Sequence, residues 1–160
     1  MTQKEYDEEA RHIRRQLVAQ AQSLLGDEAD AEDTVQDALL RLWQMLEVLH
    51  RPMEPLARRL VRNLAIDRLR RRKPTLSVNL LSEQNEVARP DTERIERTMR
   101  IVETLPDMQQ TLLRLRHMDG LSMADIASLT GASQEAVRKS LSRARQTILE
   151  IYKQQETWKN

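Results

Sequence analysis

A cluster of polar and basic side chains near the end of the chain has the composition and spacing needed to bind nucleic acid. Its members start a predicted helix or lie on the side of that helix away from its apolar residues. They are Ser133, Gln134, Arg138, Lys139, Ser142 and Arg143. Guanidinium and ammonium groups bind phosphate, and the longer polar side chains reach base edges in a major groove. The predicted chemistry is therefore noncovalent recognition of DNA.

Two helices joined by a tight turn are predicted to position this cluster. Apolar residues recur at helical spacing in both, as Ile126, Ala127 and Leu129 in the first and Val137, Leu141, Ala144 and Ile148 in the second. Gly131 can adopt the positive φ that a sharp turn requires, and Ser133 can cap the second helix. These proportions are those of a helix-turn-helix. The alternative is an amphipathic hairpin whose charged face is merely solvated.

A second basic segment, LVRNLAIDRLRRRK, occupies residues 60–73. Its leucines would hold a helix against the rest of a domain while polar side chains project outward. The outward residues are expected to be Arg58, Arg59, Arg62, Asn63, Arg70, Arg71, Arg72 and Lys73. The arginines would neutralise phosphates, and the amide of Asn63 could read a base edge. The alternative is a basic helix that only solubilises the protein or binds RNA without specificity.

A third segment, DAEDTVQDALLRLW, covers residues 30–43 and combines carboxylates with an apolar patch. Residues three or four apart share one helical face. The face predicted here carries Asp33, Gln36, Asp37, Leu40 and Trp43. Such a strip suits docking of a basic partner helix. The alternative is a solvated acidic face with Trp43 in the core.

The net charge of +1 conceals blocks of opposite sign along the chain. Residues 1–50 carry a net charge of −6, residues 51–75 carry +7, residues 76–110 carry −3 and residues 111–160 carry +3. Phosphate is the natural counter-charge for the basic blocks, whereas DNA would repel the acidic blocks. The acidic blocks therefore suit a basic protein partner.

The composition predicts an all-α fold. The 160 residues include no phenylalanine and only three glycines, and leucine, arginine, alanine, glutamate and glutamine favour helix. The chain has no cysteine, which excludes disulfides and thiolate metal or redox sites. No apolar stretch approaches the length of a membrane span, and the N-terminus lacks an apolar signal region. We expect a cytoplasmic protein without membrane insertion.

The helical patterns divide the chain into two small domains joined by a linker. We expect domains at residues 1–74 and 93–160, the second ending in the helix-turn-helix, with residues 75–92 as the linker. Helices are predicted at residues 5–25, 30–49, 55–73, 93–105, 106–118, 122–130 and 133–154.

Together the three segments resemble the sigma-70 superfamily of bacterial transcription initiation factors, and specifically its small two-domain extracytoplasmic-function group. The resemblance spans residues 10–152. DAEDTVQDALLRLW resembles the family's polymerase-binding region, and VRNLAIDRLRRRK resembles the segment that reads and opens the minus-ten element. LPDMQQTLLRLRHMDGLSMADIASLTGASQEAVRKSLSRAR resembles the minus-thirty-five domain. The implied partners are core RNA polymerase, promoter DNA and an anti-sigma factor.

The resemblance also implies roles for the candidate residues. Asp33, Gln36 and Asp37 would contact polymerase, with Leu40 and Trp43 supporting that surface. Arg62 and Asn63 would lie at the minus-ten element, Asn63 receiving an unstacked base, and residues 70–73 would hold phosphates. Arg138, Lys139, Ser142 and Arg143 would face the minus-thirty-five groove, with Ser133 and Gln134 near the DNA backbone.

Two departures from the family pattern affect these roles. The family often has aromatic residues before the RNL segment, where this chain has PMEPL at residues 52–56. Strand opening would then depend on Asn63 and on aliphatic wedges such as Met53 or Leu56. Ser140 stands where the family usually has a cation, which removes one phosphate contact.

Two other classes of protein compete with this interpretation. The first is a helix-turn-helix regulator that binds a palindrome as a dimer without polymerase. The chain offers no evident dimerisation helix, so we expect a monomer. The second is a helical hydrolase, but His12, His50 and His117 fall in separate segments without metal-ligand spacing, a phosphate-binding glycine loop or a nucleophile motif. We expect neither catalysis nor a cofactor.

Overall fold

The structure, a computed structural model, describes residues 1–72 and 90–158, and it contains seven helices and no strand within them. The helices are α1 (Gln3–Leu25), α2 (Glu28–Gln44), α3 (Glu54–Arg72), α4 (Pro90–Val102), α5 (Asp107–His117), α6 (Met123–Thr130) and α7 (Gln134–Thr157). The predicted all-α fold is confirmed. The chain divides into two compact units, the first built on α1 to α3 and the second on α4, α5 and α7.

Local sequence signals set the ends of α1 and the start of α2. Thr2 and Glu5 form a capping box, in which each side chain bonds the other residue's backbone N–H. Gly26 ends α1 in the left-handed region at φ 71°, where a side chain would be strained, and its N–H donates to Gln22. Asp27 then caps α2 by accepting bonds from the N–H groups of residues 29 and 30.

The three helices of the first unit contact one another pairwise around an aliphatic core. Leu17 of α1, Leu42 of α2 and Leu60 of α3 are all buried. Full burial of such a side chain contributes about 1.5–3 kcal/mol. Met53 and Leu56 are also in this core. The prediction that they act as exposed wedges for strand opening is wrong, because the start of α3 must pack its apolar residues to close the domain.

The second unit places the long helix α7 against α4 and α5. Its core includes Ile101, Leu112, Leu115 and Leu141, which are all buried. The buried amide of Gln110 donates to the backbone oxygens of Leu105 and Glu103, at 2.7 and 3.1 Å. This glutamine therefore satisfies carbonyl groups at the end of α4 that the helix itself leaves without partners.

The turn between α6 and α7 forms as the sequence predicts. Gly131 has φ 80°, and the Ser133 hydroxyl accepts a hydrogen bond from the N–H of Ala136 at 3.1 Å. Val137 and Leu141 are buried on the inner side of α7. The local geometry of a helix, a tight turn and a capped second helix is present.

Most helix boundaries differ from the sequence prediction by about one to three residues, and the end of α2 differs by about five. Helix α2 ends at Gln44 rather than residue 49, and a turn with the bonds Met45 N–H to Leu42 and Val48 N–H to Met45 continues from it. Leu49 remains buried despite this change. Helix α4 begins at Pro90, because proline suits the first turn of a helix. Lys73 and most of the predicted linker lie outside the described residues, and the predicted domain boundaries stay predictions.

Candidate protein and nucleic-acid interfaces

Helix α2 brings the five predicted polymerase-contact residues to one exposed face. Asp33, Gln36 and Asp37 are all exposed, and Leu40 is 55% exposed. Trp43 completes this face at the end of the helix. The inner side of the same helix buries Ala31, Val35, Ala38 and Leu42. The strip therefore lies on the opposite side of α2, which faces outward. The structure therefore confirms the predicted placement on one face. The role of the strip in binding stays a prediction.

Trp43 is neither in the core nor freely exposed. Its side is covered by the ring of Tyr6, which it meets edge to face with centroids 5.2 Å apart, and 37% of Trp43 remains exposed. Tyr6 itself is buried, and its hydroxyl donates to the backbone oxygen of Leu39. Burial, and next the negative charge of Asp7, raise the pKa of Tyr6 to about 12. Helix α1 thus supports the apolar end of the strip.

The acidic strip of α2 is joined to the basic end of α3 by ion pairs. Arg68 donates from Nη2 to Asp37 Oδ2 at 3.0 Å, and its Nη1 lies 4.0 Å from Asp30 Oδ1. Arg72 also pairs with Asp30, and its Nη1 donates to the backbone oxygen of Leu25 at 3.2 Å. We call Asp30, Asp37, Arg68 and Arg72 the α2–α3 ion-pair cluster. The two candidate surfaces are therefore electrostatically connected.

Several predicted DNA-contact arginines of α3 are already engaged within the first unit. Arg58 donates to Glu54 and to Gln16, each at 2.9 Å. Nη1 of Arg70 lies 3.8 Å from Oδ1 of Asp67. Arg59 is half-buried, whereas Arg62 and Arg71 are exposed. Arg62 and Arg71 are two of the four arginines of this predicted set that α3 exposes, beside Arg58 and Arg72.

Asn63 lies in the interior, which corrects the prediction that it projects outward. It is 2% exposed, and its Nδ2 is a buried donor without a hydrogen-bond partner. Helix α3 also buries Leu60, Val61 and Leu64. The buried face of this helix is therefore broader than a single stripe of apolar residues. A buried unpaired amide costs about 1–3 kcal/mol. An acceptor from outside could reach this donor only if the neighbouring side chains moved aside.

The outer face of α7 carries the polar residues that the sequence predicts there. All members of the cluster identified from the sequence, from Ser133 to Arg143, are exposed. Lys139 lies 3.3 Å from Glu135, but both side chains are 65% exposed, so this pair is weak. The predicted exposure of the face is confirmed, and its contact with DNA stays a prediction.

Arg145 extends this face and was missed in the sequence analysis. It is exposed and stands seven residues after Arg138, so the two lie on the same side of α7. Its Nη2 approaches Nε2 of His117, at the end of α5, to 3.4 Å. Burial, and then the charges of Arg145 and Arg116, lower the pKa of His117. The seven-residue spacing from Arg138 was the signal that could have identified Arg145.

Neither a metal cluster nor a membrane span stands out in what the structure describes. Across residues 1–72 and 90–158, no three histidine, aspartate or glutamate side chains are grouped so that they could hold a metal ion. In the same part of the chain, every helix is too short or too polar to cross a bilayer.

Two family models match the chain and together cover most of it. The Sigma-70 region 2 model matches residues 10–75, which contain α2 and α3. The Sigma-70 region 4 model matches residues 95–148, which contain α5, α6 and much of α7. The three candidate surfaces, on α2, α3 and α7, therefore lie within the matched regions.

A curated relative and a solved structure are among the proteins similar to the chain. The Probable RNA polymerase sigma factor RfaY of Xanthomonas campestris pv. campestris is 34% identical over 145 residues, covering 82% of this chain and 36% of the relative. The chain thus spans about a third of that protein's length. The co-crystal structure of the sigma factor RpoE with the anti-sigma factor NepR from Bartonella quintana is 22% identical, covering 94% and 98% of the two chains, with a TM-score of 0.42.

Proposed function

The chain belongs to the sigma-70 family of RNA polymerase sigma factors, and from this premise we propose that it binds core RNA polymerase and directs it to promoters. In this proposal the protein has no catalytic activity of its own. The first unit contacts polymerase and the minus-ten element, and the second unit contacts the minus-thirty-five element. This is the function of a two-domain factor of the extracytoplasmic-function group.

The exposed face of α2 is the observation that carries the polymerase contact. A solvated acidic face would not also expose Leu40 and Trp43, which are large apolar side chains beside two carboxylates. Aromatic side chains are enriched at protein interfaces, and charge of one sign selects a partner of the other. The face thus suits a partner helix that is both basic and apolar.

The minus-ten contact is proposed for the outer side and the end of α3. Arg62 and Arg71 are exposed there and would bind phosphates. The unpaired Nδ2 of Asn63 would donate to an acceptor on an unstacked base only after a local shift of α3 uncovers the amide, because the side chain is 2% exposed. This arrangement needs no aromatic side chain next to α3, in keeping with the sequence.

The minus-thirty-five contact is proposed for the outer face of α7. Arg138, Ser142 and Arg145 recur at helical spacing along it, and all three are exposed. A helix presented in this way fits a major groove. Each unit alone would bind DNA weakly, and their linkage through one chain raises the effective concentration for the second contact.

An anti-sigma factor would act on the same surfaces in this proposal. It would have to cover the strip on α2 or the basic faces of α3 and α7, because those are the surfaces that polymerase and promoter use. The protein would be a cytoplasmic monomer when free.

Pull-down of core RNA polymerase tests the proposed function. Asp33→Lys is the variant of choice because Asp33 forms no ion pair with the described residues 1–72 and 90–158, whereas reversal at Asp37 would also place a cation against Arg68. Glu8→Lys on α1 makes the same change of charge at another exposed position and is the control. We expect the wild type and Glu8→Lys to bind and folded Asp33→Lys to bind much less. A wild-type protein that binds duplex DNA but no polymerase would favour the helix-turn-helix regulator.

A further inference from the structure

Arg68 is shared between two surfaces that the proposed function assigns to different ligands. Its guanidinium donates to Asp37 of the polymerase-contact strip at 3.0 Å and lies 4.0 Å from Asp30. It stands four residues before Arg72, so it belongs to the same side of α3 as the basic end of that helix. A carboxylate of one surface therefore holds a cation of the other.

We propose that Asp37 withholds Arg68 from DNA. A basic partner that binds Asp37 then releases Arg68, whose guanidinium can bind phosphate. Arg68 is not among the residues that the family resemblance assigned to DNA. The inference rests on the proposed function for the identity of the two ligands. It makes polymerase binding and DNA binding mutually dependent through one ion pair.

The exposure of the pair suits exchange rather than permanent structure. The side chains of Arg68 and Asp37 are 30% and 54% exposed, so solvent already competes for them. A fully buried pair would be costly to open because each charge would be left without compensation. An exposed pair is weak, and a second cation or a phosphate can replace one of its members. Asp37 can therefore change partner without unfolding the domain.

The charges indicate that a basic partner of Asp37 would strengthen DNA binding. While Asp37 and Asp30 neutralise Arg68, a phosphate that approaches the end of α3 meets a carboxylate beside Arg68, Arg70 and Arg72. A cationic side chain from a partner would draw the carboxylate of Asp37 away and leave Arg68 available to phosphate. Linkage is reciprocal, so DNA that binds Arg68 would raise the affinity of Asp37 for that partner by the same factor.

Binding of DNA by the full chain without polymerase tests the withholding step. The probe is a fluorescein-labelled single-stranded oligonucleotide of mixed sequence, followed by anisotropy over a range of salt concentrations. We expect Asp37→Asn to tighten binding by about threefold to fivefold, the scale of one exposed ion pair. The plot of log affinity against log salt should steepen by about 0.7, since one more phosphate is neutralised on a single strand. Glu28→Gln is the control, because it removes one charge from an exposed position on α2.

A double-mutant cycle separates release of Arg68 from a general loss of negative charge. In an Arg68→Gln background, Asp37→Asn should no longer tighten DNA binding beyond the Glu28→Gln control. Arg68→Lys, which keeps a cation at the position, should restore part of the effect of Asp37→Asn. Circular dichroism and urea unfolding establish that each variant is folded before its affinity is compared.

Two results would overturn the proposal. One is equal tightening by Asp37→Asn and Glu28→Gln, which would reduce the effect to overall charge. The other is an effect of Asp37→Asn that persists without Arg68. Neither measurement includes polymerase. Failure of the pull-down would therefore refute the proposed function, but it would not produce either of these two results.

Discussion

The ring of Tyr6 on α1 meets the ring of Trp43 on α2 edge to face, with the planes at 71° and the centroids 5.2 Å apart. The Tyr6 hydroxyl is fixed to the backbone oxygen of Leu39, so the tyrosine is tied to the helix that carries its partner. Such aromatic pairs contribute about 0.5–1.5 kcal/mol beyond the area they bury. Tyr6 thereby orients Trp43 on the proposed polymerase-contact face.

Loss of the Tyr6 ring should weaken polymerase binding without any change in the contact face itself. We expect Tyr6→Ala to lower affinity for core polymerase about threefold to tenfold, because Trp43 loses the packing that orients it. Tyr6→Phe keeps the ring and should bind nearly as well as the wild type. Titration of labelled polymerase with each folded variant measures this difference. Equal affinity of the alanine and phenylalanine variants would mean that Trp43 needs no such support.

Tyr6 should also make the protein less stable at high pH. Its folded pKa of about 12 lies above the ordinary tyrosine value of 10.0, so its neutral form is favoured in the folded state. The stabilisation is complete below pH 10 and is lost as the pH rises from 10 through 12. We expect the free energy of unfolding to fall about 1 kcal/mol more in the wild type than in Tyr6→Phe between pH 9 and pH 11. Urea unfolding at both values measures this, and parallel loss in the two proteins would contradict it.

Much of the fold was predictable because its signals are local. Gly26 ends α1 in the left-handed conformation, and Ser133 caps α7, as their residue types suggest. The spacing of Val137, Leu141 and Ala144 also predicted which side of α7 is buried. Because α7 has a single apolar stripe, only that side of the helix can pack against the core. The outward set of polar residues on that helix was therefore predictable.

The geometry of α3 was harder to predict because this helix is buried on a broad face. Leu60, Val61 and Leu64 all pack inward, and this arrangement takes Asn63 with them. The ion pair between Asp37 and Arg68 joins residues 31 positions apart, and only the packing of α2 on α3 brings them together. Charge blocks in the sequence show that attraction exists but do not say which side chains meet.

Substitution of Asn63 should weaken binding of single-stranded DNA without a large loss of folding stability. Because Nδ2 is buried without a partner, Asn63→Ala should change the free energy of unfolding by less than about 1 kcal/mol or raise it. If the amide receives a base, the same variant should bind the minus-ten single strand at least about fivefold more weakly. A strand of scrambled sequence is the control for nonspecific affinity. A large loss of stability with unchanged selectivity would show that Asn63 serves only the interior of the domain.

Cations on the outer face of α7 should each contribute to the salt dependence of duplex binding. We expect Arg138→Ala and Arg143→Ala each to lower the slope of log affinity against log salt by about 0.9, since each removes one phosphate contact. Lys153→Ala removes a cation from an exposed position near the end of the same helix and should leave the slope unchanged. Fluorescence anisotropy with minus-thirty-five duplex DNA measures the three slopes. Equal slopes for all three variants would show that the outer face of α7 does not bind this DNA.

Selection from a random duplex DNA library, with and without core RNA polymerase, tests whether the protein directs polymerase to promoters. We expect this chain together with core polymerase to enrich fragments carrying two different sequence elements at a fixed spacing. The chain alone should enrich them weakly or not at all, because each unit binds only part of the site. Enrichment of one palindromic element to the same extent without polymerase would refute the proposed sigma-factor function and identify a helix-turn-helix regulator that acts by itself.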